Sequence, residues 1–490
     1  MTGTTSTREG TIASQESLHA DTGPRQWNVQ VTVSSLTSSE LLVVNDTRKR
    51  PRKDSPVYVI VSEVAGRSLG LLNLLLAGRI VATQRDFAAF VLLTSAIFLL
   101  LPVLQLGTPL VVVRLAGSAL MDGREARAIA ICRAASRMAT VVAASVFLLA
   151  CMPWTAVAMS AVLPIHVSPA CAVLIGVWLG SEVLRGTVAD TLRALHRYKA
   201  HAIAGRGGRS VAVLVALVVL NGTNIRVGFS TLATLQLAAN LVCVLSMGAP
   251  LRAEFRRYSD GSSRWSGVAE LLRPGSHLLA AVIATWFLNM GDLWVVAALT
   301  DPAHVANYGI AIRLAGLAAM PLALTYNAVA PVLASFGRDR NAETRFLQGT
   351  SAASGLLAVA AYVTTLAITA MGARAMLGAG YSMIVPLVAL LGAGQMVNSA
   401  TGHCSVVLAL HGRERLLGRA TIAVAIVAIP IELVIGSQLG PIGVAVVSGA
   451  ATAAVNLIYF TLSRRRLGIS LRPVFRDMWP AVRVMSVGRH

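Results

Sequence analysis

The sequence predicts an all-α polytopic membrane protein with about twelve transmembrane helices, and three observations support this. Of its 490 residues, 55% are apolar and only 13% are charged, with a mean hydropathy of +0.68. A soluble protein carries about 25% charged residues because its surface faces water. The apolar residues form blocks of about 20, the length that crosses a hydrocarbon core of about 30 Å. Finally, basic residues are dense in every second loop, the pattern of a chain that crosses a bilayer repeatedly.

The apolar blocks predict twelve spans, at roughly 57–82, 87–113, 134–156, 169–193, 208–224, 228–250, 274–299, 303–334, 347–371, 381–410, 417–437 and 440–463. Residues 1–57 are rich in Ser, Thr and charge and have no apolar block near their start, so we expect a disordered cytoplasmic tail there. The predicted organisation is then an N-lobe at 58–250, a cytoplasmic linker at 251–273, a C-lobe at 274–466 and a cytoplasmic tail at 467–490.

The loop charges predict the orientation. If the first tail is cytoplasmic, the inside segments hold 36 of the 42 Lys and Arg residues, and the alternation persists through all twelve spans. Both termini are therefore expected in the cytoplasm. The same pattern accounts for the net charge of +20, so we infer no nucleic-acid partner.

Several functional classes are disfavoured. The predicted outer loops do not exceed about 18 residues, which leaves no outer domain for an active site of the kind a polysaccharide polymerase needs. No GxxxxGK[ST] pattern for ATP occurs. The five cysteines lie in or beside predicted spans without a CxxC pair, so they indicate packing residues rather than a metal site. We expect no cofactor, no metal and no enzymatic activity.

A weak internal duplication links the two halves. Residues 86–117 contain Phe87, a long apolar stretch, Pro102, Gly107-Thr108-Pro109 and Arg114, and residues 304–338 contain Tyr308, a long apolar stretch, Pro321, Pro331 and Arg338. Each segment would be the second helix of a six-helix half. In transporters built from such repeats, the substrate route lies between the halves near the midplane.

Ionisable residues inside spans are costly unless they face a cavity or a partner, so they are candidates for a transport route. The substrate-binding candidates are Arg67, Asn289, Asp292 and Arg313, and the ion-coupling candidates are Glu63, Glu182 and Glu432. Folding the seventh and eighth spans back at Pro302 predicts that Asp292 and Arg313 share a depth. The alternative is that pairs such as Glu63 with Arg67, or Glu182 with Arg185, only hold helices together.

Three groups of short motifs, in this order and spacing, carry a family resemblance: Gly66-Arg67-Ser68-Leu69-Gly70 with Leu106-Gly107-Thr108-Pro109; Asn289-Met290-Gly291-Asp292 with Asn307-Tyr308-Gly309-Ile310-Ala311-Ile312-Arg313; and Leu377-Gly378-Ala379-Gly380-Tyr381 with His411-Gly412-Arg413 and Gly440-Pro441-Ile442-Gly443. Residues 58–466 thereby resemble the Wzx-type oligosaccharidyl-lipid flippases of the MOP (multidrug/oligosaccharidyl-lipid/polysaccharide) exporter superfamily. One departure is Ala88 after Phe87, where such proteins usually have Gly; the second half keeps Tyr308-Gly309.

The resemblance implies a MATE-like fold of two six-helix lobes around a cationic cavity, in the bacterial plasma (inner) membrane. It implies flipping of a polyprenyl-pyrophosphate-linked oligosaccharide by alternating access, coupled to an ion gradient. The implied partners are the lipid-linked oligosaccharide, membrane lipids, and a polysaccharide polymerase with glycosyltransferases. A cation-coupled multidrug exporter of the same superfamily is the main alternative, and a polysaccharide polymerase is a weaker one.

Overall fold

The computed structural model of the chain describes residues 57–223, 225–257, 271, 283–335, 339–377 and 379–487. The predicted tail at 1–57 lies outside these residues except for Val57. Most of the predicted linker at 251–273 also lies outside the described residues. The helix of the sixth span continues to Arg257, past its predicted end at 250. The described residues belong to one compact unit, Arg52–His490.

The described residues of the first half, 57–223 and 225–257, form nine helices. They are α1 Val57–Ile80, α2 Gln84–Leu104, α3 Thr108–Met121, α4 Glu125–Ala150, α5 Pro153–Val162, α6 Pro169–Ala194, α7 Tyr198–Ala204, α8 Arg206–Gly222 and α9 Phe229–Arg257. Helices α1 and α8 pack along each other, as do α4 with α6 and α6 with α9.

In the second half, the described residues between 283 and 487 form eight α-helices. They are α10 Ile283–Leu299, α11 Pro302–Ala315, α12 Met320–Ser335, α13 Arg340–Leu377, α14 Ile384–Thr401, α15 Cys404–Leu410, α16 Glu414–Leu462 and α17 Met478–Val487. Helix α10 includes a π turn at Phe287–Gly291, just before Asp292. Helix α17, in the predicted C-terminal tail, packs against α13.

Nine helices of the described residues are long and apolar enough to cross a membrane, by length and composition. One of them, α16, covers the eleventh and twelfth predicted spans together. The first and seventh predicted spans correspond to α1 and to the shorter apolar helix α10. The chain is therefore an all-α, multi-pass membrane protein whose helices follow the predicted order.

Helix α16 is two spans rather than one rod. Gly440 has φ +62° and ψ −149°, a conformation that L side chains rarely adopt, and Pro441 follows it. A Cβ built on Gly443 would lie 2.7 Å from the carbonyl oxygen of Ile435. In a straight helix eight residues span about 12 Å, so the chain reverses here. The reversal matches the two spans predicted at 417–437 and 440–463.

The second predicted span, 87–113, is broken. Leu106 and Gly107 have φ values of +49° and +68°, which end α2 and start α3 in a new direction. Pro109 stands in the first turn of α3, where its missing N–H costs nothing. A hydropathy window cannot detect this break because the residues around it remain apolar.

Hydrogen-bonded caps begin three of the spans that start on the side predicted to be outside. The hydroxyls of Thr83 and Ser168 accept from the N–H groups of Asp86 and Cys171, and the Asp301 carboxylate accepts from the N–H of His304. Such caps satisfy N–H groups that the helix cannot pair internally. All three lie at ends that the loop charges predict to be outside.

The two halves meet through their second spans. Helices α2 and α11 pack together, with Phe87 and Tyr308 fully buried in one shared apolar core. At the closest point a Cβ built on Gly309 would lie 3.3 Å from Val91 Cβ and only 2.2 Å from Val91 Cγ1, so a larger side chain does not fit. The indole N–H groups of Trp286 and Trp294 donate to the carbonyl (3.0 Å) and hydroxyl (3.2 Å) of Ser95. We call this contact between residues 87–95 and 286–310 the inter-half seam.

Candidate functional site

A cavity of about 370 Å³, open to its surroundings, lies between the two halves beside the inter-half seam. Its walls come from α1, α2 and α8 of the first half and from residues 289–320 and α14 of the second. We call it the central cavity. Its polar lining consists of Arg67, Arg206, Arg209, Asn289, Arg313, Gln395 and Asn398.

The arginines of the central cavity come from both halves. Arg67 is half exposed, and its Nε lies 3.9 Å from Glu63 Oε2 one helical turn earlier. Arg206 Nη1 lies 3.6 Å from the same oxygen, so one carboxylate is shared by two guanidinium groups. An exposed, shared pair of this kind holds its arginines weakly and leaves them available to another anion.

Close packing of α1 and α8 places Arg206 beside Glu63. A Cβ built on Gly66 would lie 2.7 Å from Arg206 Cγ, and one built on Gly207 would lie 2.8 Å from Ser62 Oγ. Only glycine permits this approach of the two helices. The Arg206-Gly207-Gly208-Arg209 sequence thus serves packing and charge together, with the arginines flanking the contact.

Arg313 is the cation that the second half contributes. Its guanidinium carbon lies 5.3 Å from the centre of the Phe98 ring, which is a cation–π contact from α11 to α2. It forms no ion pair with any carboxylate of the described residues. Arg313 lies close enough to Arg206 and Arg209 for their charges to interact.

A buried network of charged side chains in the first half adjoins the central cavity through Arg209. Arg185 donates to both carboxylate oxygens of Glu182, at 2.7 and 3.2 Å, and its Nη1 donates to the Ala204 carbonyl at 3.1 Å. Arg209 Nη1 lies 3.4 Å from each Glu182 oxygen. Glu182 therefore neutralises Arg185 and holds Arg209 at the cavity edge.

Asp292 and Glu432, two buried carboxylates of the second half, are surrounded differently. Asp292 Oδ2 accepts from the hydroxyls of Tyr308 (3.0 Å) and Ser448 (2.7 Å), and Oδ1 accepts from the N–H of Leu293. Glu432 is only 5% exposed and lies close enough to Asp292 for their charges to interact. No cationic side chain in the described part of the chain pairs with either carboxylate.

The structure brings three of the four predicted substrate-binding residues together. Arg67, Asn289 and Arg313 line the central cavity, whereas Asp292 is absent from its lining and bonds to Tyr308 and Ser448. Among the predicted coupling residues, Glu63 and Glu182 have arginine partners, whereas Glu432 has none among the residues that the structure describes. Their roles in transport remain predictions.

Sequence reasoning missed two cavity residues, Arg206 and Arg209, because it counted them among the charges of a cytoplasmic loop. Both belong to the first turn of α8 and line the central cavity. The sequence contains a signal that could have identified them: two arginines three residues apart, separated by a glycine pair, stand directly before an apolar block. Among the described residues, no group of three or more His, Cys, Asp or Glu side chains could hold a metal ion.

A second, smaller cavity of about 80 Å³ opens from the central cavity into the first half. The two cavities share Gly70, Phe98, Arg209 and Arg313. We call it the N-half pocket. Apart from Arg313 it is lined by α1, α2, α6, α8 and α9, mostly with apolar side chains.

Comparison with known proteins identifies the fold. No protein-family model matches the chain, and no curated protein matches its sequence. Among solved structures, it is similar to the lipid II flippase MurJ in an inward closed conformation, with a TM-score of 0.61 and 13% identity over 88% of this chain and 92% of that one. It is also similar to a multidrug resistance MATE family transporter of the MOP superfamily in an inward-facing conformation, with a TM-score of 0.60 and 15% identity over 84% and 98%.

A third similar structure is the eukaryotic MATE transporter AtDTX14, with a TM-score of 0.53 and 14% identity over 87% of this chain and 97% of that one. These identities are too low to transfer an activity. The likeness does cover nearly the whole length of each structure. The chain therefore has the fold shared by MurJ and the MATE transporters.

Proposed function

We propose that this chain is a transporter that flips a polyprenyl-pyrophosphate-linked oligosaccharide across the bacterial plasma membrane for polysaccharide synthesis, with both termini in the cytoplasm. The observation that carries the proposal is the meeting of Arg67, Arg206, Arg209 and Arg313 in one cavity between the halves. With Arg185, this cluster has five arginines against Glu63 and Glu182, a formal charge of +3.

An uncompensated cluster of guanidinium groups suits a pyrophosphate. Guanidinium forms paired hydrogen bonds to phosphate oxygens, and such charged bonds are short and strong. Like charges in a site of low dielectric repel one another, so an anion that bridges them is stabilised by each. A cationic drug would meet the opposite field. The central cavity therefore favours the flippase over the drug exporter, although the MATE-like fold is compatible with both.

Alternating access follows from the inter-half seam. The central cavity is open, whereas α2 and α11 close the molecule next to it. By the loop-charge orientation, the seam lies toward the outside and the cavity toward the cytoplasm. Release of the cargo on the other side requires the seam to open and the cavity to close.

Coupling to an ion gradient is assigned to Asp292 and Glu432. Two buried carboxylates without a cationic partner bind a proton or a sodium ion more readily than carboxylates already paired with arginine. Glu63 and Glu182 are paired in this way, so we give them a positioning role. Polymerase and glycosyltransferases would act before and after the flipping step.

The test is a flipping assay with purified protein in vesicles that contain a short polyprenyl-diphospho-N-acetylglucosamine. A galactosyltransferase added outside labels only sugars that face it. With an imposed proton or sodium gradient, the native protein should increase the labelled fraction. Arg67→Gln and Arg313→Gln should each slow labelling by about 10-fold or more, the effect of one lost charged hydrogen bond.

Arg226→Gln is the matched control, because this arginine bonds the Arg79 carbonyl on the surface and does not line the central cavity. It should label at the native rate. Native-like rates in Arg67→Gln and Arg313→Gln would overturn the cationic route. Gradient-driven movement of a cationic dye by the native protein, without sugar labelling, would favour the drug exporter.

Alternating access has its own test, a Val91→Cys/Gly309→Cys pair in a background without the native cysteines. The built Cβ separation of 3.3 Å is near the 3.5–4.5 Å typical of a disulfide. Oxidation should stop flipping and a reductant should restore it, whereas the single Val91→Cys variant should remain active under both conditions. Full activity of the oxidised pair would show that the seam need not open.

A further inference from the structure

The chain after the last span folds back onto the second half. We call residues 464–484 the C-terminal segment. Its Leu471 and Ala481 are buried in one apolar core with side chains of α12, α13, α15 and α16. The N–H of Val474 donates to the carbonyl of Gln348 on α13 at 3.3 Å. One side of the segment is therefore fixed by packing and a backbone hydrogen bond.

The C-terminal segment lies at the level where the spans leave the bilayer. Helix α13 begins at Arg340, and its predicted span begins at 347. The segment meets α13 at residues 348 and 349, where a Cβ built on Gly349 would overlap the carbonyl oxygen of Asp477. At 1.5 Å per residue, this contact is about 12 Å along α13 from its first residue. The segment thus lies at the boundary of the predicted span, on the side that the loop charges predict to be cytoplasmic.

The other side of the segment carries exposed aromatic and cationic side chains. Phe475 and Trp479 are 64% and 59% exposed and stand about one helical turn apart. The guanidinium carbon of Arg483, one turn further on, lies 5.5 Å from the centre of the Trp479 ring. Arg472 and Arg476 are exposed as well. Large apolar groups exposed together in this way mark a surface that contacts a protein or a membrane.

The composition of the segment suits a bilayer surface with anionic lipids. Tryptophan is enriched at the headgroup level, because its ring has an apolar body and a polar N–H. The segment contains six arginines against one acidic residue, Asp477, a formal charge of +5. Basic side chains near a membrane surface are attracted to anionic headgroups. A soluble protein could match this charge, but the level of the segment on α13 favours lipid.

We propose that the C-terminal segment is a membrane-surface anchor. Phe475 and Trp479 enter the headgroup boundary of the cytoplasmic leaflet, and the arginines beside them bind the headgroups of anionic phospholipids. This inference goes beyond the proposed function and shares with it only the orientation of the termini. Because the segment packs on α12, α13 and α16, the anchor holds the cytoplasmic end of the second half at the leaflet surface.

The experiment places a nitrobenzoxadiazole fluorophore on Pro480→Cys, an exposed position next to Trp479, in the full chain without its native cysteines. The protein is reconstituted in phosphatidylcholine vesicles. They contain the same small fraction of either phosphatidylcholine or phosphatidylglycerol with a nitroxide quencher on the acyl chain near the headgroup. Both nitroxide lipids should quench the fluorophore. Phosphatidylglycerol should quench as if enriched about fivefold, the attraction that one arginine provides near an anionic headgroup.

Two double variants separate the contributions. Arg472→Gln/Arg476→Gln should bring the quenching ratio of the two lipids close to one. Phe475→Ser/Trp479→Ser should reduce quenching by both lipids, and both side chains are exposed, so folding does not depend on them. The matched control is Arg85→Gln/Arg226→Gln, which removes two exposed arginines from loops that the charges predict to be outside. It should keep the native ratio.

The outcomes for the native protein decide the proposal. Absence of quenching by either lipid would show that the exposed side faces water or a protein, and equal quenching by both would show no selection of anionic lipid. Either result, or a native ratio in Arg472→Gln/Arg476→Gln, overturns the anchor. None of them bears on the central cavity, so the flipping assay still decides the proposed function.

Discussion

The candidate carboxylates inside the spans have opposite surroundings in the two halves of the molecule. In the first half, Glu182 lies between Arg185 and Arg209, and Glu63 lies between Arg67 and Arg206. In the second half, Asp292 and Glu432 have only neutral donors or each other, while Arg313 stacks on Phe98 without a described carboxylate partner. The first half thus pairs these carboxylates with arginines, whereas the second half surrounds Asp292 with neutral hydrogen-bond donors.

The largest change in the free energy of unfolding is expected when Glu182 is substituted, and it tests this comparison most directly. Glu182→Gln leaves Arg185 buried without its counter-charge, and removing one partner of a buried pair costs about 3–5 kcal/mol. We expect a matching loss in the free energy of unfolding, measured by denaturation in detergent. The double variant Glu182→Gln/Arg185→Gln should recover part of it, since no unpaired charge then remains at Arg185. A stable single variant would mean that the network does not hold the first half together.

Removing one of the neutral hydrogen-bond donors of Asp292 should cause a smaller loss in the free energy of unfolding. Ser448→Ala removes the hydroxyl that donates to Oδ2 at 2.7 Å, and we expect a loss of about 1–2 kcal/mol, because a hydrogen bond to a charged group is involved. Ser437→Ala is the control, because its hydroxyl bonds its own helix at an exposed position. Equal stabilities of the two variants would show that Asp292 does not depend on Ser448.

The half-exposed ion pairs of Glu63 at the central cavity should contribute less to the free energy of unfolding. Glu63→Gln removes a carboxylate that lies 3.6 and 3.9 Å from its two arginines, and exposed pairs contribute about 0.2–1 kcal/mol. Affinity for the polyprenyl diphosphate should rise in the same variant, because Arg67 and Arg206 lose a competing anion. Weaker binding would show instead that Glu63 is needed to position the arginines.

The smallest effect on stability is expected at Glu432. Glu432→Gln keeps the side-chain shape and removes a buried charge without a cationic partner, so the free energy of unfolding should stay unchanged or rise. Transport should nevertheless lose its dependence on the ion gradient in the flipping assay. A loss of stability like that of Glu182→Gln would mean that Glu432 has a cationic partner, and the contrast between the halves would break.

Part of the candidate site could be read from the sequence. Arg67, Asn289 and Arg313 stand out because each is polar inside an apolar block, and the structure gathers them at one cavity. Arg206 and Arg209 could not be recognised in the same way, because arginines just before a span are also expected from loop topology alone.

The sequence by itself determined the membrane class, the helix order and the turn at Gly440. These depend on local quantities: the length of an apolar block, the charge of a loop and the backbone freedom of one residue. Only the tertiary structure decided which charges meet. Ser448 reaches Asp292 across 156 residues, and Arg209 reaches Glu182 across 27. Such pairings depend on how closely whole helices approach, as Gly66 and Gly207 allow α1 and α8 to do.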